Sequence, residues 1–242
     1  MRRRTIYEIL ILLFALSLVM LTLSSCRLDI MTDIMDGYDS NPFLDRKPLD
    51  TARHDDEITF LLFSDAHLNR KDEDSWAEDN TPYLKDFLKE NKDDYDFVIS
   101  LGDIEDAGDI NAPELHEFLS FFKENGITYL SALGNHELQG FHERSEWNEL
   151  YASYGLFGTI GCYTYGDLSI YVTDSTKRIY GRQQLSWLEE ALECDESRYK
   201  IMITHVNTYS GGTFDSSLLF FGTADIAERN EIYRLMTKYG VS

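Results

Sequence analysis

Across 242 residues, 43 aspartates and glutamates outnumber 22 lysines and arginines, for a formal net charge of −21. Such a surface repels nucleic-acid backbones, which sets long nucleic acid aside as a partner, and it excludes a polybasic mode of membrane binding. The three cysteines include no Cys-x-x-Cys pair, so neither a cysteine-based structural zinc nor dithiol exchange is written here.

In chain order, the first segment reads as targeting. Arg2, Arg3 and Arg4 form a basic start, Ile9 to Leu23 is apolar or small, and Leu23-Ser24-Ser25-Cys26 closes the run. A small-residue pair before cysteine resembles a bacterial lipobox, so residues 1–26 are expected to be a signal peptide with Cys26 as the lipidated residue. The competing reading is an uncleaved N-terminal membrane helix. Either way the domain is exported, anchored to a bacterial membrane through its N-terminus. Residues 27–56 have little periodicity, several aspartates and two of the four prolines, Pro42 and Pro48, and read as a flexible tether. Residues 57–242 are enough for one substantial core and are expected to be one domain.

Four short apolar runs, rich in β-branched and aromatic residues, read as buried strands: Ile58–Phe63, Phe97–Leu101, Ile127–Leu133 and Lys200–Thr204. Between them the spacing turns helical. Tyr83, Leu84, Phe87 and Leu88 mark one helix, Leu115, Phe118, Leu119 and Phe122 a second, and Trp147, Leu150 and Tyr151 a third that ends near Gly155. Alternating strands and helices predict a largely parallel sheet. Thr159–Tyr165 and Leu168–Thr173 around Gly166-Asp167 then predict an antiparallel hairpin. A helix over Gln183–Leu192 presents Leu185, Leu188 and Leu192, and a last one covers about Asp225 to Lys238. Gly211-Gly212 marks a loop after His205. Cys162 and Cys194 lie in a strand and at a helix end, and their spacing leaves pairing open.

A polar string follows each of the four strands: Asp65-Ala-His67, Gly102-Asp103, Gly134-Asn135-His136-Glu137 and His205. Ligands bind outside the carboxyl ends of strands in open α/β sheets, so four strand ends can bring distant side chains to one site. Singly, each string has an ordinary reading. Asp-x-His recurs by chance, Gly-Asp is often a turn, Gly-Asn-His-Glu suits a helix N-cap, and a lone histidine is often core. As donors, the carboxylates of Asp65 and Asp103, the amide oxygen of Asn135 and the imidazoles of His67 and His205 suit hard or borderline cations. Asp106 is expected to support its loop by hydrogen bonding, and Glu137 to orient its neighbours.

The ordered set resembles the calcineurin-like metallophosphoesterase family, whose pattern is Asp-x-His, Gly-Asp-x-x-Asp, Gly-Asn-His-Asp/Glu, His, then Gly-His-x-His. The first four elements match in order from Asp65 to His205. The resemblance implies an α/β fold, a layered sandwich of mixed sheets flanked by helices. It also implies a dinuclear centre of divalent or trivalent Mn, Fe or Zn ions. Asp65, His67 and Asp103 would hold one ion, and Asp103, Asn135 and His205 the other. His136 would be an acid or a phosphate contact, and the substrate a phosphate mono- or diester. The last element, Gly-His-x-His, does not occur, so the domain is expected to be C-terminally incomplete, with His116 or His142 the available substitutes. The alternatives are a catalytically silent surface lipoprotein that uses the same fold for binding, and a solute-binding lipoprotein. Metal identity, substrate and oligomeric state stay open.

Overall fold

Strand pairing in the computed structural model divides between two sheets. The model describes residues 44–49, 57–68, 81–139, 142–157, 160–208 and 226–242. The first sheet holds β2 (Phe60–Phe63), β3 (Phe97–Ser100) and β4 (Tyr129–Ser131), all parallel, in that order. The second runs β1 (Leu44–Pro48), β5 (Gly161–Tyr165), β6 (Leu168–Val172) and β7 (Tyr199–Ile203). Here β5 and β6 form the antiparallel hairpin, while β1 pairs parallel with β5 and β7 parallel with β6. Helices α1 (Thr81–Glu90), α2 (Pro113–Asn125) and α3 (Arg144–Ser153) belong to the first half, α4 (Arg182–Glu193) and α5 (Ile226–Tyr239) to the second.

The period-2 alternation of strands assigns side chains to layers. In β3, Val98 points into a cluster with Leu115, Phe118, Leu119 and Phe122 of α2 and with Trp147 and Tyr151 of α3. Its neighbours Phe97 and Ile99 point the other way, into a second cluster with Tyr163, Ile170, Val172 and Ile203 of the facing sheet. Tyr171, between Ile170 and Val172, turns to a third cluster with Leu188, Leu192, Ile232 and Leu235. The architecture is therefore helix, sheet, sheet, helix, and each buried leucine or phenylalanine contributes about 1.5–3 kcal/mol of transfer free energy.

Two expectations change. Residues 44–49 leave the tether and join the second sheet at its edge, with Lys47 opposite Tyr163 and Pro48 opposite Thr164. Leu44-Asp-Arg-Lys-Pro48 has no alternating pattern because an edge strand is held by backbone pairing, and its proline sits where a missing N–H is tolerated. In α1, Leu88 is buried but Tyr83 and Phe87 are 71% and 51% exposed. They lie one row round from the Leu84–Leu88 face, so only half of the apolar set meets the core.

Cys162 and Cys194 are both free thiols, the first buried and the second exposed. Among the described residues no helix is long and apolar enough to cross a membrane. The signal segment with Cys26, most of the tether and Gly211-Gly212 lie outside the described residues.

Candidate metal centre

The loops after β2 and β3 continue the pairing of their strands beyond the strand ends. Asp65 N–H donates to Gly102 O (3.0 Å), His67 N–H to Asp103 O (3.0 Å) and Leu68 N–H to Ile104 O (2.7 Å). Holding that ladder while turning their side chains to one side puts Asp65, His67 and Asp103 in the left-handed region, at φ 58°, 46° and 53°. Non-glycine residues enter that region at some cost, and such outliers gather at functional sites.

Two glycines allow the β3 and β4 loops to touch. A Cβ on Gly134 would stand 2.1 Å from Asp103 Oδ1, and one on Gly102, at φ 103°, would stand 2.5 Å from Gly134 N. Behind them the fully buried Glu137 carboxylate collects four backbone donors: Asp103 N (3.0 Å), Ile104 N (2.6 Å), Glu105 N (3.2 Å) and Gly134 N (2.7 Å). Burial, joined by the charge of Asp103, pushes the Glu137 carboxyl up, against the pull of these N–H groups. Its environment makes it an organiser of the two loops.

The buried Asp103 has its oxygens in different company. Oδ1 accepts the His136 N–H (2.9 Å), while Oδ2 faces Nε2 of His205 (3.3 Å), of His67 (3.9 Å) and of His136 (4.0 Å). His205 Nε2 also lies 3.1 Å from Asn135 Oδ1, and His67 Nε2 lies 3.6 Å from Asp65 Oδ1. Asp65, Asp103 and His205 each present a donor atom within 4.8 Å of the others. The structure thus brings all five expected donors, Asp65, His67, Asp103, Asn135 and His205, into one cluster about Asp103.

The remaining ring nitrogens orient the imidazoles. His67 Nδ1 is 2.7 Å from Asp106 Oδ1, His205 Nδ1 is 3.0 Å from Leu101 O, and His136 Nδ1 is 2.6 Å from Asp106 O. A carbonyl or carboxylate accepts, so each Nδ1 donates and each Nε2 is turned toward the Asp103 side of the site. Imidazole nitrogens set beside carboxylate and amide oxygens call for positive charge between them, a proton or a metal ion, and the mixed nitrogen and oxygen donors fit a cation. Protonation responds to the same field. Burial opposes both charged forms, yet the hydrogen bond with His205 holds the Asp103 carboxyl below its usual range, and Asp103 together with Asp65 raises His205.

A second grouping, His67, Asp106 and His136, is held by hydrogen bonding of Asp106 to the two rings, so it is the support of the same site. The His67 and His136 rings meet edge to face at 4.6 Å. His116 bonds instead to the Tyr154 hydroxyl, and His142 lies 3.2 Å from Glu146. Neither joins the cluster.

Sequence reasoning passed over several participants. Glu105, buried, accepts Ala107 N–H and Asp109 N–H, both at 2.8 Å, and shapes the loop that carries Asp106. Ser175 brackets His205: its hydroxyl accepts Val206 N–H (2.8 Å) and the Thr204 hydroxyl (2.8 Å). Arg144 pairs with the buried Asp174 and reaches Thr176 Oγ1 at 3.3 Å, tying α3 to the segment beside His205. No motif marks Ser175 or Arg144, because their partners lie about thirty positions away in sequence, and Glu105 acts on backbone N–H groups, which carry no residue signature.

A family model described as calcineurin-like phosphoesterase matches residues 58–241. Among solved structures, a dimetal phosphatase from Danio rerio is similar with a TM-score of 0.52 and 12% identity, over 76% of this chain and 79% of that one. A purple acid phosphatase from yellow lupin seeds has a TM-score of 0.49 and 15% identity, over 76% of this chain and 36% of that one. No curated protein matches the sequence.

Proposed function

We propose, from the premise that this chain belongs to the calcineurin-like phosphoesterase family, that it hydrolyses phosphate mono- or diesters with two metal ions. Asp65, His67 and Asp103 hold one ion, and Asp103, Asn135 and His205 the other, with Asp103 shared. The full chain works outside the cytoplasm, attached to the membrane through lipid on Cys26. The observation that carries the reading is the convergence of His67 and His205 Nε2 on Asp103 Oδ2 from opposite partners, each ring fixed through its Nδ1. The zebrafish protein of like fold is described as a dimetal phosphatase, which agrees with two ions.

Bound divalent or trivalent Mn, Fe or Zn would supply Lewis-acid charge to the phosphoryl oxygens and a more acidic attacking water. The chain's own residues do the rest. Asp106 O fixes the His136 ring so that Nε2 faces the Asp103 side of the site, where, when protonated, it delivers a proton to the leaving alkoxide. Glu137 keeps the Asp103 and Gly134 backbones in place, and Asn135 contributes a neutral oxygen. No serine or cysteine is required as nucleophile, so phosphate is released without a phosphorylated side chain.

The test is metal content by elemental analysis together with Mn²⁺-dependent hydrolysis of p-nitrophenyl phosphate and bis(p-nitrophenyl) phosphate, for the native chain and Asp103→Ala. Two ions per chain and a loss of more than about 100-fold in kcat/KM in the variant are expected. No turnover in the native chain, with or without bound metal, would overturn the hydrolytic reading and support the silent surface lipoprotein.

A further inference from the structure

Beside the segment that delivers His205 stands a cation that the hydrolytic reading leaves without a task. Ser175, whose hydroxyl brackets His205 through Thr204 and Val206, opens a tight turn closed by Arg178 N–H on Ser175 O at 2.7 Å. Lys177 stands at the exposed tip of that turn, two residues from Ser175. The turn follows β6, whose end lies in parallel register with the end of β7 that delivers His205, so Lys177 belongs to the edge where the ligands gather.

Its electrostatic surroundings are unusual for this chain. The nearest carboxylate in the turn, Asp174, is already committed: Oδ1 accepts Thr176 N–H at 2.8 Å and Oδ2 pairs with Arg144. Gln184 takes the Asp174 backbone N–H and C=O, fixing that carboxylate where it is. Among the described residues Lys177 makes no ion pair or hydrogen bond within the chain. Although the residue is exposed, its ammonium is partly screened from water, and this together with the Arg144 guanidinium pulls it below its ordinary range, which Asp174 opposes only in part. In a chain of net charge −21, a lysine three residues from a carboxylate that an arginine already neutralises is a local excess of positive charge.

We propose that Lys177, backed by Arg144, receives a second phosphate of the substrate, so that the preferred substrates are phosphoesters carrying another phosphate group rather than esters with a neutral remainder. This rests on the phosphoesterase reading. Arg144 stays paired with Asp174, and the ammonium supplies the contact as a point charge.

Steady-state kinetics of the Mn²⁺-supplemented full chain on fructose 6-phosphate and fructose 1,6-bisphosphate, with p-nitrophenyl phosphate as reference, tests the proposal. The native chain should show a KM about 10-fold lower for the bisphosphate than for the monophosphate. Lys177→Ala should erase that gap with kcat and p-nitrophenyl phosphate hydrolysis unchanged, and Lys177→Arg should keep most of it. Equal KM values in the native chain, or a Lys177→Ala change shared by all three substrates, overturn the subsite alone. No hydrolysis of any substrate, p-nitrophenyl phosphate included, overturns the phosphoesterase reading and the subsite with it.

Discussion

At Gly134 a single methyl group separates a working loop from a displaced one. The residue has no need of positive φ, so Gly134→Ala tests sterics alone, and the added Cβ would lie 2.1 Å from Asp103 Oδ1. Either the β4 loop withdraws or Asp103 turns away from His67 and His205. We expect a loss of about 1–3 kcal/mol in urea denaturation and more than about 100-fold lower phosphatase activity. Native activity in that variant would show that the contact between the β3 and β4 loops is not required. The donors were legible in sequence because each belongs to a short polar string directly after an apolar run. Their orientation was not, since Leu101 O and Asp106 O are backbone atoms, which carry no residue signature. Nor did sequence separate the two roles of Asp103 Oδ1 and Oδ2, which arise only when loops more than thirty residues apart meet.

Elements were recoverable where burial imposes a period. β3 and the hairpin appear within two residues of their expected limits, β4 is the three-residue centre of its expected run, and α2 buries all four of its expected apolar positions. β1 escaped notice because its pairing is made by backbone atoms, and the tie between α3 and the β6–α4 segment because it rests on one long-range ion pair. That tie can be tested. Asp174 is 1% exposed, so Asp174→Asn leaves the Arg144 guanidinium in a buried setting without its carboxylate, and about 3 kcal/mol should be lost in urea denaturation. The connection from α4 to β7 supplies a pH test. Burial pushes the Asp195 carboxyl up, but the Ser197 N–H and the hydroxyls of Tyr171, Ser169 and Ser197 prevail and hold it at about 2. A carboxylate depressed in the folded state stabilises above its unfolded pKa of about 3.9, and the contribution disappears as pH falls toward 2. The group is partly exposed, so screening reduces the effect to about 1 kcal/mol. Asp195→Asn should therefore be about 1 kcal/mol less stable than the native chain at pH 6, and the gap should close near pH 2. A gap that persists at pH 2 would assign the effect to shape rather than charge.

For the whole molecule, the acidic surface and the donor cluster act in the same direction. A chain of net charge −21 resists compaction by self-repulsion, and the site concentrates two of its carboxylates, Asp65 and Asp103, at one sheet edge. Cations that bind only the folded state relieve that local repulsion and stabilise by mass action, by about 2.7 kcal/mol at a free concentration one hundred times Kd. For a domain of this size each kcal/mol moves Tm by about 2–4 °C, so saturating Mn²⁺ should raise Tm by about 5–10 °C over the chelator-treated chain. Screening of the general surface by Mn²⁺ would give a similar sign, and Mg²⁺ at equal ionic strength separates the two, because it takes few protein ligands and prefers oxygen to imidazole. Asp103→Asn sharpens the contrast: it removes one negative charge from the site while leaving the surface untouched. If the rise comes from the donor cluster, the variant loses most of the Mn²⁺ effect and keeps whatever small rise Mg²⁺ gives. An undiminished Mn²⁺ effect in Asp103→Asn would place the stabilising ions elsewhere on the acidic surface.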